Sequence, residues 1–361
     1  MANFELDDIN VEQKARIKVI GTGGAGGNAV NAMIEKGLEG VDFIVANTDS
    51  QDLRKSLAPT KLQIGARTTK GLGSGGNPVL GREAAIEDQV RIAESLEGAD
   101  MVFITAGMGG GTGTGSSPII AQASKEIGAL TVGVVTKPFG FEGPNRMKQA
   151  LDGIKSLESE VDTLIVIPND RLAQVHNVSI LDAFKSADEV LQKAVRGISD
   201  IITGTGYINV DFADVKSIMG ENGGKALMGT GFAEGSNRAV EAAQAAITSP
   251  LLEDISIDGA TGILLNVTAS TDFGIEELNE ACNYIKDRAH PDVNLIFGLV
   301  FNHDIKEAVQ LTVIATGIQS AKPEPIRGVV TELRTEAESE MEDDEFEIPA
   351  FIRRRGIKEG Q

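Results

Sequence analysis

Apolar and polar positions along the chain follow two alternating patterns. Short, predominantly apolar runs are typical of buried strands, and they lie at residues 16–20, 41–46, 101–106, 130–136 and 163–168. Segments with apolar residues at helical spacing separate them, including residues 29–34, about 79–97, an apolar, Ala-rich segment after Pro118, and about 145–160. Because helices alternate with strands that carry no polar face, this part of the chain is predicted to form a parallel sheet covered by helices on both sides.

The longest helical pattern covers residues 181–202 and is apolar on more than one face, so we expect this helix to be buried between two domains. An extended segment is predicted at residues 207–215. Further elements are predicted as strands at residues 226–233, 262–269, 295–301 and 309–315 and as helices at residues 238–247 and 275–289. The predicted fold class is therefore α/β, with a parallel-sheet domain joined by a long central helix to a smaller α+β domain.

Changes of composition divide the chain into six predicted parts. They are a flexible N-terminal arm at 1–15, the sheet domain at 16–180, the central helix at 181–203, the smaller domain at 204–318, an acidic linker at 319–345 and a terminal peptide at 346–361. Residues 331–347 contain nine acidic residues and one basic residue. Their mutual repulsion and low hydrophobicity predict that the linker is disordered.

Composition argues against several classes of protein. The net charge is −20 and no basic stripe is present, so nucleic acid is not expected as a partner. No apolar run approaches the ~18 residues that a membrane span needs. The N-terminus lacks the regions of a signal peptide and Cys282 is the sole cysteine, which together predict a cytoplasmic protein without disulfides. The three histidines have no metal-ligand spacing, so no side-chain metal site is predicted.

Three glycine-rich segments precede predicted helices. They read Gly-Thr-Gly-Gly-Ala-Gly-Gly-Asn at 21–28, Gly-Leu-Gly-Ser-Gly-Gly-Asn-Pro at 71–78 and Gly-Gly-Gly-Thr-Gly-Thr-Gly at 109–115. Backbone N–H groups without side chains can converge on an anion, and a helix N-terminus adds a favourable partial charge. Since parallel sheets bind ligands at the carboxyl ends of their strands, we expect the three segments to line one phosphate-binding pocket.

The glycine segments contain no Lys or Arg and match no G-x-x-x-x-G-K-[ST] motif. Phosphate charge would be met by backbone N–H groups, helix dipoles, hydroxyls and Mg²⁺. Three loops exceed what one pyrophosphate needs, which favours a nucleoside triphosphatase. A dinucleotide-dependent oxidoreductase is the alternative, because Gly21, Gly23 and Gly26 form a G-x-G-x-x-G motif. Asp49 follows the next strand, where such an enzyme binds a ribose.

Glu142 and Arg146 follow the strand at 130–136, near the expected mouth of the pocket. They are candidates for contacts to ribose or phosphate. A surface ion pair at i, i+4 is an equal alternative from their spacing alone.

Asp211 and Asp214 are candidates for orienting the water in a hydrolysis reaction. The helix before them spans on the order of 30 Å, which separates them from phosphates bound in their own subunit. They could reach the phosphates of a neighbour stacked head to tail, and a heterologous contact of that kind generates a filament. The alternative is that both aspartates only cap and solvate a turn.

The set and order of these motifs resemble the tubulin/FtsZ family of GTPases. The resemblance covers about residues 12–318 and is carried by residues 19–28, 46–49, 109–115, 138–143 with Arg146, 167–170 and 209–215. It implies GTP and GDP as nucleotides, Mg²⁺ as cofactor and self-assembly into head-to-tail protofilaments. It also implies a ring at mid-cell during division, whose turnover is driven by GTP hydrolysis.

The same resemblance assigns roles to residues. Phosphate contacts are implied for Gly24, Ala25, Gly26, Gly27, Gly109, Gly110, Gly111, Thr112 and Gly113, with Gly75 and Gly76 near the γ-phosphate. Contacts to sugar and base are implied for Asn28, Glu142, Arg146, Phe184 and Asp188, and Asn47, Asp49 and Asn169 belong to further nucleotide-binding motifs. Asn209, Asp211 and Asp214 match a loop that enters the site of the next subunit and triggers hydrolysis.

The end of the chain resembles the C-terminal peptide of the family through Ile348, Pro349, Phe351, Ile352 and Arg353. The resemblance implies docking on membrane tethers and division regulators of the FtsA, ZipA, SepF and MinC type. The apolar side chains of the peptide can bury in a groove, and its arginines can meet an acidic partner or anionic lipid.

The sequence as a whole predicts a polymerising GTPase whose active site is shared between adjacent subunits. Two alternatives stay open at this point. One is the dinucleotide-dependent oxidoreductase, and the other is a filament scaffold that binds GTP without hydrolysing it.

Overall fold

The computed structural model describes residues 14–172, 179–203, 206–221, 224–249, 251, 257–302 and 305–318. The predicted acidic linker and residues 1–13 of the predicted arm lie outside these ranges. So does the predicted partner-binding peptide with Ile348, Pro349, Phe351, Ile352 and Arg353. Within the described part of the chain, no helix combines the length and hydropathy that crossing a bilayer requires.

The described strands form one ten-stranded sheet. They are β1 (Ile17–Thr22), β2 (Val41–Asn47), β3 (Thr60–Gln63), β4 (Met101–Gly107), β5 (Leu130–Lys137), β6 (Thr163–Pro168), β7 (Gly224–Glu234), β8 (Gly262–Ala269), β9 (Asn294–Phe301) and β10 (Ala308–Thr316). Their order across the sheet is β3-β2-β1-β4-β5-β6-β7-β10-β8-β9.

The first six strands are parallel throughout, which confirms the predicted parallel sheet. Residues 101–106 of β4 are all buried, as a strand covered by helices on both faces requires. Strand β7 then changes partner: residues 224–226 pair with β6 in parallel, and residues 227–234 pair antiparallel with β10. This strand therefore links the parallel half of the sheet to a half that contains antiparallel pairs.

Twelve α-helices are described around this sheet. They are α1 (Gly23–Glu35), α2 (Ser50–Lys55), α3 (Ala66–Thr69), α4 (Pro78–Glu87), α5 (Gln89–Leu96), α6 (Thr112–Glu126), α7 (Pro144–Glu158), α8 (Asn169–Leu172), α9 (Ile180–Ile202), α10 (Phe212–Lys216), α11 (Arg238–Ile247) and α12 (Ile275–Lys286).

Helix α9 is the predicted long central helix and has 23 residues. Its first turn is capped by Ser179, whose hydroxyl accepts a hydrogen bond from the Asp182 N–H at 3.1 Å. Its apolar residues belong to one core that also contains residues of α1, β5 and β6 and residues of β7, β8 and β10. The helix thus packs one apolar face into a core shared with strands from both halves of the sheet, while residues such as Leu181 and Phe184 are exposed.

Helices α1 and α6 begin earlier than predicted. The sequence predicted α1 from Ala29 and α6 after Pro118, but α1 begins at Gly23 and α6 begins at Thr112, with Pro118 inside it. The glycines are tolerated in these first turns because they let backbones approach closely. A Cβ at Gly115, for example, would lie 2.1 Å from the carbonyl oxygen of Pro78.

Other predicted elements also differ from the structure. The single helix predicted at 79–97 is broken at Asp88, whose carboxylate accepts a hydrogen bond from the Gly65 N–H at 2.7 Å. The segment 207–215 is not wholly extended, because α10 begins at Phe212. Strand β3 and helices α2 and α3 were not predicted, since each has six residues or fewer and carries no clear apolar period.

Candidate nucleotide-binding site

A cavity of about 730 Å³ opens at the carboxyl ends of β1, β2, β4, β5 and β6, and residues of all three glycine-rich segments line it. The predicted nucleotide-binding residues that line the cavity are Gly24, Ala25, Asn28, Asn47, Asp49, Gly75, Gly76, Gly109, Gly110, Gly111, Thr112, Gly113, Glu142, Arg146, Asn169, Phe184 and Asp188. Two predicted phosphate contacts, Gly26 and Gly27, are not among the lining residues. The structure thus brings most of the predicted set together.

Several lining residues were not predicted from the sequence. They are Thr22, Asp52, Leu72, Gly73, Ser74, Gly107, Met108, Thr136, Pro138, Asn145, Gln149, Ala187 and Leu191, together with Gly23. Ser74 lies inside a glycine segment, so its position could have predicted that it lines the cavity. Asp52 lies one helical turn after Asp49, and this spacing could have predicted its place in the same way. Nothing in the local sequence distinguishes Gln149, which reaches the cavity only because α7 packs beside it.

The glycine segments at 21–28 and 109–115 form two touching anion cradles, the first at the N-terminus of α1 and the second at the N-terminus of α6. Gly23 has φ +68°, and a Cβ on it would lie 2.9 Å from the Gly113 nitrogen. Gly109 has φ +96°, and a Cβ on it would lie 2.7 Å from the Arg146 carbonyl oxygen. The first turns of both helices, with their N-terminal N–H groups and positive dipole ends, therefore adjoin one region of the cavity.

The remaining glycine segment, at 71–78, lies on the β2 side of the cavity, and its residues 71–76 form a loop there. It is anchored at its start by hydrogen bonds from Ser50 N to Gly71 O at 3.1 Å and from Gly73 N to Thr48 O at 3.3 Å. At its tip, Gly75 and Gly76 both have positive φ, and a Cβ on either would meet nothing within 4 Å. Glycine is therefore required at the tip by the backbone conformation rather than by lack of space.

The β6 side of the cavity has a different character. Phe184 packs edge-on against Phe139 with ring centroids 5.2 Å apart, and Phe139 stacks on Phe141. Asn169 is buried, and its side-chain oxygen has no hydrogen-bond partner among the described residues. Asp188 lies on α9 one turn beyond Phe184, and loss of hydration raises the pKa of its carboxyl group to about 6. This side offers aromatic surface and unpaired polar acceptors to a planar ligand.

Glu142 and Arg146 form the ion pair that their spacing allows, with Arg146 Nη1 3.1 Å from Glu142 Oε2. The other carboxylate oxygen of Glu142 accepts a hydrogen bond from the Phe139 N–H at 2.9 Å. Both side chains also line the cavity, so the pair and a contact to ligand are compatible. Arg146 is the one basic residue among the described lining residues, alongside four acidic ones.

The donor set near the cradles fits a Mg²⁺ ion that is held mainly by phosphate oxygens. No cluster of three or more His, Cys, Asp or Glu suited to a metal occurs in the described part of the chain. Asp49 and Asp52 nevertheless line the cavity, and Asp52 Oδ2 would lie 3.3 Å from a Cβ on Gly24, at the first cradle. Mg²⁺ at nucleotide sites is commonly bound by one or two carboxylates, waters and the phosphates themselves.

Asn209, Asp211 and Asp214 are not brought to this cavity. Asp211 caps helix α10, accepting a hydrogen bond from the Ala213 N–H at 3.2 Å. It lines a second cavity of about 680 Å³ together with Arg16 and Asp100, which precede β1 and β4. These positions mark the amino ends of the strands, opposite the glycine segments. The turn-capping role considered for Asp211 is thus present, at the far end of the molecule from the nucleotide cavity.

Comparison with known proteins identifies the family. Residues 16–177 match the model of the Tubulin/FtsZ family, GTPase domain, and residues 224–319 match that of the FtsZ family, C-terminal domain. The cell division protein FtsZ of Pseudomonas aeruginosa is 54% identical over 328 residues, which are 90% of this chain and 83% of the relative. The cell division protein FtsZ of Pseudomonas putida is 53% identical over 334 residues, 92% of this chain and 83% of the relative.

Solved structures agree with these matches. An empty FtsZ dimer of M. jannaschii has 47% sequence identity and a TM-score of 0.82, covering 86% of this chain and 90% of the other. The GDP-bound monomer of CetZ1 from Haloferax volcanii has 22% identity and a TM-score of 0.74, covering 85% and 96%, and shows a shared fold. None of these matches supports the dinucleotide-dependent oxidoreductase. The chain belongs to the FtsZ family, the cell-division GTPases that share the tubulin fold.

Proposed function

We propose that GTP binds across the strand ends, with its base beside α9 and its terminal phosphate at the 71–76 loop. The strand order supports this direction. Phe184 packs against Phe139, which follows β5, and Asn169 follows β6 directly. The cradles follow β1 and β4, and the 71–76 loop adjoins the end of β2. Four strand spacings of ~4.8 Å separate β6 from β2, a span of ~19 Å that suits an extended nucleoside triphosphate.

Asp188 selects guanine in this arrangement. Guanine presents two adjacent N–H donors on its pairing edge, and an ionised carboxylate accepts both. Adenine presents an acceptor beside a donor at the same edge, so it would face Asp188 with a lone pair. A mismatch of this kind leaves a buried polar group unpaired and is strongly disfavoured.

The phosphates are held by the two cradles, and Asp49 and Asp52, which line the same cavity, are the residues that would hold Mg²⁺. When bound, the ion neutralises phosphate charge and withdraws electrons from the bond that breaks in hydrolysis. Arg146 adds a positive charge at the mouth of the cavity. The contribution of the chain itself is then mainly positioning of the phosphates by backbone N–H groups.

The separation of Asp211 from the cavity carries the proposal of a shared active site. Helix α9 has 23 residues and lies between the two ends, a length of ~35 Å. Asp211 and Asp214 therefore act on the nucleotide of the next subunit, where they orient the attacking water, and Asn209 belongs to the same loop. This contact is heterologous, so repeated contacts produce a head-to-tail protofilament.

Further parts of the proposal follow from the family and the sequence. Residues 16–180 form the GTP-binding domain, 181–203 the central helix, and 204–318 the part that activates hydrolysis in the neighbour. Filaments assemble into a ring at mid-cell in the cytoplasm. The C-terminal peptide with Ile348, Phe351 and Arg353 docks on membrane tethers and division regulators.

The test is phosphate release measured over a range of protein concentrations. A shared site predicts almost no turnover per subunit below the assembly threshold and a steep rise above it. Asp211→Ala is expected to keep its affinity for GTP and lose at least about a hundredfold in turnover. Asp292→Ala, which alters an exposed aspartate in another turn, serves as the control.

Turnover that is independent of concentration, or a normal rate in Asp211→Ala, would contradict the shared site. Absence of phosphate release at every concentration would instead favour the scaffold that binds GTP without hydrolysing it. Competition between GTP and NAD for the cavity checks the nucleotide directly, and displacement by NAD alone would revive the oxidoreductase.

A further inference from the structure

Three buried hydroxyls form a chain in the wall of the nucleotide cavity. Thr48 Oγ1 lies 2.6 Å from Thr112 Oγ1, and Thr112 Oγ1 lies 3.0 Å from Ser74 Oγ. The three residues come from separate segments: the end of β2, the start of α6 and the 71–76 loop. Thr112 and Ser74 line the cavity, whereas Thr48 is fully buried behind them.

The number of protons available to the three hydroxyls indicates which of them donates in each hydrogen bond. Each hydroxyl has one proton to donate and can accept two hydrogen bonds. For the proton of Thr48, the hydroxyl of Thr112 is the one acceptor within hydrogen-bond distance among the described residues. Since a buried hydroxyl that fails to donate is costly, Thr48 donates to Thr112. Thr112 then has its own proton to give either to Ser74 or to a ligand in the cavity.

A phosphate oxygen above Thr112 would change this arrangement. A charged acceptor forms a stronger hydrogen bond than a neutral hydroxyl does, so the proton of Thr112 turns to the phosphate. The second acceptor position of Thr112 then becomes free for the proton of Ser74. In this state Thr112 accepts two hydrogen bonds, from Thr48 and from Ser74, while it donates one. Bonds in such a chain polarise and strengthen one another.

The Ser74 side chain also connects the tip of the 71–76 loop to the second cradle. Its Oγ fills the space beside Gly111, where a Cβ would lie 2.2 Å away. The start of the loop is anchored separately to β2, and the tip glycines Gly75 and Gly76 contact no neighbour at their Cβ positions. The state of the Thr112 hydroxyl is therefore transmitted to the loop tip through Ser74.

We propose that Thr48 and Ser74 are positioning residues that act through Thr112. Thr48 directs the Thr112 hydroxyl toward the phosphates, and Ser74 closes the 71–76 loop on the terminal phosphate. This rests on the proposed direction of the nucleotide, in which Thr112 meets phosphates common to GTP and GDP and the loop meets the one that only GTP carries. Ser74 thereby distinguishes GTP from GDP, while Thr48 serves both.

The test compares the affinities of nucleotide-free protein for GDP and for a slowly hydrolysed GTP analogue, below the assembly threshold. Ser74→Ala is expected to weaken binding of the analogue about tenfold and of GDP by less than about twofold. Thr48→Val keeps the shape of the side chain without its hydroxyl and is expected to weaken both about tenfold, with recovery in Thr48→Ser. Ser124→Ala is the matched control, because Ser124 is equally buried and its Oγ lies 2.7 Å from Thr131 Oγ1.

Each outcome decides one part of the proposal. If Ser74→Ala leaves the ratio of the two affinities unchanged, Ser74 does not distinguish the nucleotides. If Thr48→Ser fails to recover what Thr48→Val loses, Thr48 acts by packing and not by donation. If the unaltered protein binds neither nucleotide, the proposed function itself fails. If the unaltered protein binds both GDP and the GTP analogue, the proposed nucleotide binding holds, and the variants then test only the role of the three hydroxyls.

Discussion

At the scale of single residues, Asp188 is the group whose chemistry depends most on its surroundings. Loss of hydration raises the pKa of its carboxyl group to about 6. Between pH ~4 and pH ~6 the folded chain then binds more protons at Asp188 than the unfolded chain, so the free energy of unfolding falls as the pH rises through this window. Above pH 6 the ionised carboxylate lowers the free energy of unfolding of the nucleotide-free protein. The same carboxylate can then accept hydrogen bonds from the ligand.

Asp188→Asn is therefore expected to raise the unfolding temperature of the nucleotide-free protein by about 2–4 °C at pH 7.5, with a smaller gain at pH 5. Calorimetry at the two pH values checks this. Glu189→Gln is the matched control, since Glu189 is a neighbouring, half-exposed acid paired with Lys36. A lower unfolding temperature in Asp188→Asn at pH 7.5 would contradict the inference that the ionised Asp188 carboxylate destabilises the nucleotide-free protein.

Binding of GTP should show the opposite dependence at the same residue. Below pH 6 the affinity of the unaltered protein is expected to fall about tenfold per pH unit, because the carboxylate must lose its proton to accept from guanine. Asp188→Asn should bind GTP weakly with a flat profile over the same range. Titration calorimetry from pH 5 to pH 7.5 makes the measurement. An unchanged slope in Asp188→Asn would assign the pH dependence to another group.

At the scale of elements, the glycines of α1 have two different roles. Gly26 is buried against neighbouring backbone, and a Cβ on it would lie 2.4 Å from the Thr105 carbonyl oxygen. At Gly27 a Cβ would meet only Val45 Cγ1, at 3.5 Å, which is ordinary contact. The resemblance assigned phosphate contacts to both residues, yet neither lines the cavity. Gly26 therefore allows α1 to pack closely, whereas Gly27 has no steric requirement.

Gly26→Ala is expected to destabilise the protein by more than ~2 kcal/mol, because the backbones of α1 and β4 must separate. Gly27→Ala should be neutral or stabilise the protein by up to ~1 kcal/mol, because alanine is the better helix former. Urea unfolding of the two variants side by side makes the comparison. Equal losses in both would show that α1 does not pack as described.

At the scale of the whole molecule, the nucleotide cavity and Asp211 lie at opposite edges of the sheet. Neither end is a complete hydrolytic site if Asp211 acts on a neighbour. The subunit would then be polar: one end binds the nucleotide, and the other end activates hydrolysis of the nucleotide that the neighbouring subunit binds. This polarity can be tested with mixtures of subunits that are damaged at different ends.

An equal mixture of Asp211→Ala and Asp188→Asn subunits is expected to regain turnover that neither has alone. Roughly one in four contacts in a randomly mixed filament would join an intact cavity to an intact Asp211. The matched control replaces Asp188→Asn by the double variant, which can supply no complete site. A mixture no more active than the average of its components would argue against complementation between subunits.

Much of the fold followed from local pattern. The strands from β1 to β6, except β3, and the long helix α9 have clear periods, and their alternation predicted the parallel sheet. Short or polar elements such as β3 and α2 are stabilised by contacts with neighbouring elements. Their own residues therefore do little to predict a strand or a helix. The starts of α1 and α6 were misplaced, because glycine disfavours helix in isolation and the close packing that offsets this is tertiary.

The sequence by itself determined which segments could bind an anion and that all of them lie at one edge of a parallel sheet. It also determined that Asp211 lies a helix length away from that edge. Only the tertiary structure decided that Gly26 packs while Gly113 faces the cavity, that Asp188 loses its hydration, and that Thr48, Ser74 and Thr112 meet. The physical reason is that period and spacing are local properties of a chain, whereas burial, desolvation and hydrogen bonds between distant segments arise only when the whole chain has folded.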